Sequence, residues 1–291
     1  MRNINFSLLL IVLISTLTKA SEGAEYASPA WMDNETIICV KYVDTVKDRL
    51  FGWFGDITDA RSIVVRQEIQ IVSMDIEGKN EKVIKSIVID YPGQSPKWRE
   101  EVFKGVRFIR FISYSPNYNI IAFGCDGAVH PIFIIKDSMT KKIVEEGFKP
   151  RFSPDGKFLQ YTSSDDKIWF YDFDVGENKI LIENARGGPW SPDGKKIAIS
   201  KKIGHDINGY LYDLETKEEE FFGFVVDWAP NGKLIKGSRL LLNPRVSPDG
   251  TKIVGEPHSD PIRENGRMNY IGICDIDEKN LKVLRYYAKD K

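Results

Sequence analysis

The feature of this sequence that most limits its fold is a short motif that returns at a constant interval. Four clear copies occupy 152–157 (FSPDGK), 190–195 (WSPDGK), 228–233 (WAPNGK) and 246–251 (VSPDGT), and weaker copies occupy 114–119 (YSPNYN) and 31–36 (WMDNET). The motif residues Pro116, Pro154, Pro192 and Pro230 are evenly spaced along the chain. Their period is close to the ~40 residues typical of four-stranded repeats, so it indicates a protein built from stacked structural units.

Each copy of the motif predicts a tight turn between two strands. Proline presets the first central position of the turn, and Asp-Gly or Asn-Gly tolerates the positive φ that such turns need. A third strand follows a polar loop, as in 168–173 (IWFYDF) and 209–214 (GYLYDL), and a polar turn then leads to a fourth. Four short antiparallel strands in every repeat of about 40 residues are typical of a β-propeller blade. Several blades must stack in a ring to bury their faces.

The last spacing in the series predicts an irregular ring. Pro230 and Pro248 are separated by less than half of the regular period, which is too little chain for four strands, so the fifth blade is expected to be reduced. The predicted fold class is therefore all-β, a single β-propeller of six blades with five as the alternative. We expect residues 25–28 to close the ring by pairing with the last blade, because closure removes exposed strand edges.

The first repeat is longer than the others. Asp33, which aligns with the motif prolines, lies more than two regular periods before Pro116, so the first blade is expected to carry insertions around 46–66 and 90–104. Its third strand is expected at 70–76 and its fourth at 83–89. In a propeller, the loops that hold these insertions lie on the same rim.

The motif and the strand after it carry a family resemblance. The Ser-Pro-Asp-Gly-Lys turns at 153–157 and 191–195 are followed by aromatic strands that end in Tyr-Asp at 171–172 and 212–213. This pattern resembles the TolB-type, WD-like propeller repeat over nearly the whole chain after residue 25. The family includes periplasmic TolB and the propellers attached to prolyl-oligopeptidase-like peptidases. The resemblance implies the propeller fold and a binding role outside the cytoplasm, and it implies no particular reaction.

The start of the chain, 1–20, predicts a signal peptide. Arg2 supplies a positive charge, residues 6–17 are mostly apolar, and the small residues Thr18 and Ala20 precede a possible cleavage point. The apolar run is too short to span a bilayer comfortably. We therefore expect cleavage of 1–20 and a TolB-like propeller domain over 25–291. The mature protein is then periplasmic or secreted, with no transmembrane anchor.

Charge and cysteine content narrow the partners and the chemistry. The formal net charge is −1, so the chain has no global attraction to nucleic acid, and no nucleic-acid partner is expected. The three cysteines, Cys39, Cys125 and Cys274, match no metal-binding spacing. They are either small buried residues or include one disulfide or one reactive thiol, because an odd count leaves at least one unpaired.

Two groups of residues are candidates for ligand binding. Phe51, Trp53 and Phe54 stand among glycines in the first insertion, where exposed aromatics suit a contact with a ligand or protein, unless they fold back onto the blade. Four arginines precede turn motifs on the predicted innermost strands: Arg110, Arg151, Arg186 and Arg245. With Lys149 beside them and Asp227 as the acidic exception, they predict a cationic channel entrance that attracts carboxylates or phosphates. The alternative is ion pairing with acids of neighbouring blades.

The histidines are the candidate metal ligands. His130, His205 and His258 all fall in loops between the second and third strands of their blades, on one rim. A metal site requires them to converge within about 2–2.5 Å of one ion, which needs long loops that fold inward. The alternative is three solvated loop histidines.

Catalytic signatures are absent from the sequence. It has no G-x-S-x-G nucleophile elbow, no H-E-x-x-H and no P-loop. We therefore expect a monomeric, non-enzymatic module that binds a protein or peptide and needs no cofactor. The alternative is a polysaccharide lyase or glycosidase with its site on the loop rim or in the central channel.

Overall fold

The chain is all-β in the residues that the structure describes. This computed structural model describes residues 18–47, 63–91, 97–98, 103, 106–127, 130–223, 227–235, 241–257 and 271–285. In those ranges it contains 23 strands and no α-helix, and hence no apolar helix of membrane-spanning length. Residues 1–17 lie outside the described residues, so the signal peptide stays a prediction.

The strands form six antiparallel sheets, each built from one continuous stretch of chain. Blade 1 contains β1 (Thr18–Trp31), β2 (Thr36–Lys47), β3 (Ile63–Asp75), β4 (Lys82–Asp90) and β5 (Lys97–Trp98). Blade 2 contains β6 (Val106–Ser115), β7 (Ile120–Gly127), β8 (Ile132–Lys136) and β9 (Met139–Val144). Blade 3 contains β10 (Phe148–Phe152), β11 (Phe158–Thr162), β12 (Ile168–Asp172) and β13 (Glu177–Ile182).

The second half of the chain completes the ring. Blade 4 contains β14 (Arg186–Trp190), β15 (Lys196–Ile203), β16 (Asp206–Asp213) and β17 (Glu219–Phe221). A two-stranded unit follows, with β18 (Asp227–Trp228) and β19 (Leu234–Ile235). The last blade contains β20 (Leu241–Val246), β21 (Lys252–Pro257), β22 (Ile271–Asp275) and β23 (Lys282–Arg285). The predicted all-β propeller with a reduced fifth unit is confirmed, and the described residues form five complete blades.

The motif forms the predicted turn between the first and second strands of a blade. In blade 3, the Ser153 hydroxyl donates to Asp155 Oδ1 at 2.6 Å and accepts the N–H of Phe158 at 3.0 Å. Gly156 has a φ of 77°, which a residue without a Cβ adopts at no steric cost. The same serine–aspartate bond recurs at Ser191–Asp193 and at Ser247–Asp249. The motif residues therefore fix the turn through side chains as well as backbone.

The innermost strand of each blade is bulged. Its pairing with the second strand is irregular in β1, β6, β10, β14 and β20. Left-handed residues stand at the same repeat position in four of them: Ser28, Phe111, Lys149 and Asn243. A bulge leaves a backbone N–H without its ladder partner and increases the local twist.

Side chains of the preceding blade accept these free N–H groups. Thr162 Oγ1 on β11 accepts the N–H of Gly187 on β14 at 3.0 Å. Glu256 Oε1, at the equivalent position of the last blade, accepts the N–H of Ser28 on β1 at 3.0 Å. At these two interfaces, between blades 3 and 4 and between the last blade and blade 1, the bonds fix how one blade sits against the next.

Apolar side chains fill the spaces between blades. Between blades 1 and 2, Ile71, Phe123 and Phe133 are fully buried, and the two rings stack with centroids 5.5 Å apart. Burial of one such side chain contributes about 1.5–3 kcal/mol. The three cysteines are buried on β2, β7 and β22 and form no disulfide, so they act as small core residues: Cys39, Cys125 and Cys274.

Ring closure differs from the sequence prediction. Residues 25–28 belong to β1 and pair with β2 of their own blade, so the predicted pairing with the last blade is wrong. Instead, β1 packs beside the last blade, where the Trp31 indole N–H donates to the carbonyl of Arg245 at 2.9 Å. The last blade already has its own four strands, so the ring closes through side chains and needs no shared sheet.

The insertions of blade 1 extend its β-sheet. The predicted strands 70–76 and 83–89 largely coincide with β3 and β4, and β3 extends further back to Ile63 along β2. Part of the second insertion forms β5, where Trp98 pairs with Ile89. Residues 48–62, which include Phe51, Trp53 and Phe54, lie outside the described residues.

We expect Thr162→Val to lower the free energy of unfolding by about 1–3 kcal/mol, because it leaves the Gly187 N–H buried without an acceptor. The matched control is Thr140→Val, since the buried hydroxyl of Thr140 has no hydrogen-bond partner among the described residues. The control is expected to be neutral or slightly stabilising. Urea denaturation of both variants measures the difference, and equal losses would contradict the role assigned to Thr162.

Candidate functional site

The charged residues of the innermost strands occupy two tiers around the axis. One tier lies three residues before each motif proline and contains Ser113, Arg151, Asp227 and Arg245. The other lies five or six residues before it and contains Arg110, Lys149 and Arg186. Equivalent positions of successive repeats lie at similar heights in a ring. The first tier is therefore near the motif turns and the second is near the opposite rim, which carries the longer loops.

Arg151 and Asp227 interact electrostatically inside the turn-side tier. Burial raises the pKa of Asp227 and lowers that of Arg151, and in each case the charge of the other residue opposes the effect. They lie on β10 and β18, the innermost strands of blade 3 and of the two-stranded unit, with β14 of blade 4 between them along the chain. Asp227 Oδ2 also accepts the N–H of Val246 on β20 at 2.9 Å.

The two arginines of the loop-side tier are held by carboxylates. Arg110 Nε lies 2.9 Å from Asp126 Oδ2, and Arg186 Nε lies 2.6 Å from Asp166 Oδ1. Both arginine side chains are more than half exposed, at 55% and 65%. Arg186 therefore pairs with an acid of the neighbouring blade, as the alternative expected, whereas Arg110 pairs with an acid of its own blade, and both contacts are made through Nε.

Lys149 lies between these arginines and Arg151. Although the residue is exposed to solvent, its pKa is lowered first by desolvation from neighbouring protein atoms and then by the positive charges of Arg151 and Arg186. Its ammonium group is 5.7 Å from the ring centroid of Phe111. Within the described ranges, no carboxylate lies at ion-pair distance from Lys149. A cation surrounded by cations is a favourable position for an anionic ligand.

One histidine adjoins the loop-side tier. His130 Nδ1 is 3.4 Å from Asp126 Oδ1, so Asp126 lies between the imidazole and the Arg110 guanidinium. The His130 ring also packs on Phe148, with centroids 4.3 Å apart. His205 lies exposed in the turn between β15 and β16, on a different blade.

The predicted histidine metal site stays a prediction. Among the described residues, no group of three or more histidine, cysteine, aspartate or glutamate side chains could hold a metal ion. His258, the third candidate, lies outside those residues.

Sequence reasoning located the cations and missed their partners. Arg151 and Arg186 both lie close enough to Lys149 to lower its pKa, and Arg245 shares the tier of Arg151. Asp126 and Asp166 were not predicted, because each lies in a polar stretch whose position in the repeat is not periodic. The aspartate pair in 163–166 (SSDD) was the only available signal for Asp166.

Comparisons with known proteins concern the fold alone. No protein-family model matches the chain, and no curated protein matches its sequence. An oligogalacturonate lyase in complex with manganese is 15% identical over 77% of this chain and 59% of its own, less than two thirds of the lyase, with a TM-score of 0.44. A putative TolB from Agrobacterium tumefaciens is 17% identical over 74% of this chain and 76% of its own, with a TM-score of 0.39. The β-propeller domain of Myceliophteria thermophila Cps50 (Swd1) is 10% identical over 92% and 89%, with a TM-score of 0.48.

We expect Asp227→Ala to lower the free energy of unfolding by about 1–3 kcal/mol, because it leaves the Val246 N–H without its acceptor and removes the negative charge that favours ionised Arg151. The double variant Arg151→Met/Asp227→Ala should recover part of this loss, because the buried charge is removed too. Chemical denaturation followed by circular dichroism measures both. A single variant within about 0.5 kcal/mol of the parent protein would contradict the pairing, since surface changes stay in that range.

Proposed function

We propose that this chain is an exported, TolB-type propeller that binds an acidic segment of a protein partner at the loop-side mouth of its axis, without catalysing a reaction. The position of Lys149 carries the proposal, because it lies among like charges and no described carboxylate compensates it. Holding like charges together destabilises the fold unless an anionic ligand joins them.

The arrangement of the neighbouring cations supports a carboxylate ligand. Arg110, Lys149 and Arg186 come from β6, β10 and β14, the innermost strands of three consecutive blades, so they form an arc. The Asp126 and Asp166 carboxylates hold the two guanidinium groups through Nε. The terminal nitrogens can then donate to a carboxylate, and such charge-assisted bonds are among the stronger ones in proteins.

A binding role fits the described histidines better than the alternative lyase or glycosidase. His130 and His205 belong to blades 2 and 4, and the described parts of these blades bring no second histidine to either of them. The arc of cations would recognise the acidic segment by its negative charge. Such recognition speeds association and depends strongly on ionic strength.

We expect Lys149→Gln to weaken binding of a short, fluorescein-labelled oligoglutamate peptide roughly 5- to 10-fold, because one charge-assisted contact is lost. Fluorescence anisotropy at low and high salt measures the affinity, which should fall as salt rises. Lys179→Gln is the matched control, because Lys179 is exposed on the outer strand β13. Unchanged binding in Lys149→Gln, or an equal loss in the control, would overturn the axial site.

The same substitution should stabilise the unliganded fold. At neutral pH, Lys149→Gln removes the repulsion from Arg151 and Arg186, and because solvent screens these exposed charges we expect the melting temperature to rise by at most about 1 °C. Because the folded pKa is depressed, the penalty is fully present below it and disappears as the pH rises through the ordinary value of 10.5. The melting temperatures of the parent and of Lys149→Gln should therefore differ at neutral pH and converge at alkaline pH. A lower melting temperature in the variant would show that Lys149 is a structural residue.

A further inference from the structure

We propose a second binding site, a cleft between the motif turns of blades 3 and 4 that accepts a tyrosine side chain of a partner protein. It lies at the turn end of the propeller, opposite the cationic mouth, and does not depend on the function proposed for that mouth. The cleft has a volume of about 420 Å³. It is lined by the turn residues of both blades and by Phe158, Phe170, Trp190 and Leu214.

The aromatic wall of the cleft is continuous. The rings of Phe158 and Phe170 stack with centroids 5.6 Å apart, and those of Phe170 and Trp190 stack at 4.9 Å. Both pairs are close to parallel, at 30° and 27°. A row of aromatic rings favours an aromatic group as ligand, because aromatic pairs in offset-stacked or edge-to-face arrangements gain more than the area they bury.

The preceding interface shows what such a space accepts. Between blades 2 and 3, the turn of blade 2 carries Tyr118, which reaches onto blade 3. Its ring stacks on Phe173 with centroids 6.4 Å apart, and Phe173 stacks on Phe152 at 5.7 Å. A Cβ built on Gly156 would lie 2.9 Å from Tyr118 Cδ2, so the tyrosine also covers that glycine.

The lining of the cleft contains the same repeat positions one blade later. Trp190, Leu214 and Gly194 occupy the positions that Phe152, Phe173 and Gly156 occupy in blade 3. The turn of blade 3, however, has Gly156 where the turn of blade 2 has Tyr118, so it supplies no ring. A Cβ on Gly194 would meet only Pro154 Cδ, at an ordinary 3.9 Å. The chain therefore fills this space with Tyr118 between blades 2 and 3, but leaves the equivalent space between blades 3 and 4 open.

Two carboxylates at the rim favour a ring that carries a hydrogen-bond donor. Asp155 and Asp193 are exposed and belong to the two turns that line the cleft. Bonds from the Ser191 hydroxyl and from the Lys195 N–H lower the pKa of Asp193, so its carboxylate is ionised at neutral pH. A tyrosine hydroxyl can donate to such an oxygen, whereas a phenylalanine cannot.

N-acetyl-L-tyrosinamide tests the site directly. We expect it to bind with a dissociation constant of about 1 mM, as the size of the probe allows, and N-acetyl-L-leucinamide to bind at least 5-fold more weakly. Chemical-shift titration on the full chain measures both. Leu214→Phe copies Phe173 and should tighten tyrosinamide binding about 3- to 10-fold through the added stacking.

Two aligned glycines provide a blocking variant and its control. Gly194→Asn places a side chain in the cleft, and asparagine tolerates the φ of 72° found there. Gly232→Asn makes the same change at a φ of 81°, where a Cβ has nothing within 4 Å. We expect the first variant to lose at least 5-fold in affinity and the second to bind as the parent does.

The outcomes separate this site from the axial one. Equal binding of the leucine probe, no binding to either the parent or Leu214→Phe, or unchanged binding in Gly194→Asn would overturn the proposal. If Gly194→Asn fails to fold, which its melting curve would reveal, the Leu214→Phe result decides. Lys149→Gln should leave tyrosinamide binding unchanged, so the two sites can fail independently.

Discussion

The ring depends on hydrogen bonds that one blade accepts from the bulged innermost strand of the next. No strand pairing crosses from one sheet to another in the described part of the chain, so apolar packing alone would allow neighbouring blades to slide. The bulge frees a backbone N–H, and Thr162 or Glu256 of the preceding blade accepts it. A buried N–H without a partner costs about as much as several apolar contacts contribute, so each bond selects one relative position.

The same bulge determines what the axis displays. A left-handed residue in the middle of a strand redirects the chain and the side chains beside it. In blade 3 that residue is Lys149 itself. The charges at the axis are therefore placed by backbone geometry that the packing of the ring enforces. This explains how the fold tolerates several cations near one another, since the surrounding contacts outweigh the local repulsion.

Much of the fold could be predicted from the sequence, because turn chemistry is local. Proline and glycine at fixed offsets defined the turns, and the short step between Pro230 and Pro248 identified the reduced unit. Ring closure could not be predicted, because an exposed edge can be covered by packing as well as by pairing. At the site, the periodic motif placed the arginines, but Asp126 and Asp166 follow no period. The residue at the bulge of blade 2 is Phe111, and a phenylalanine does not predict a positive φ as a glycine or an asparagine would. The loop aromatics Phe51, Trp53 and Phe54 and the loop residue His258 stay predictions.

Every sheet described in this propeller is one uninterrupted stretch of chain, and no described strand is exchanged at the seam between the last blade and blade 1. The strand pairing therefore does not determine at which blade the chain has to begin. A circularly permuted chain, cut between two blades and joined between β23 and β1, would keep every strand pair of the described residues. A blade is therefore a unit that can be duplicated or lost as a whole. The two-stranded unit shows that one sheet can be shorter while its neighbours keep four strands.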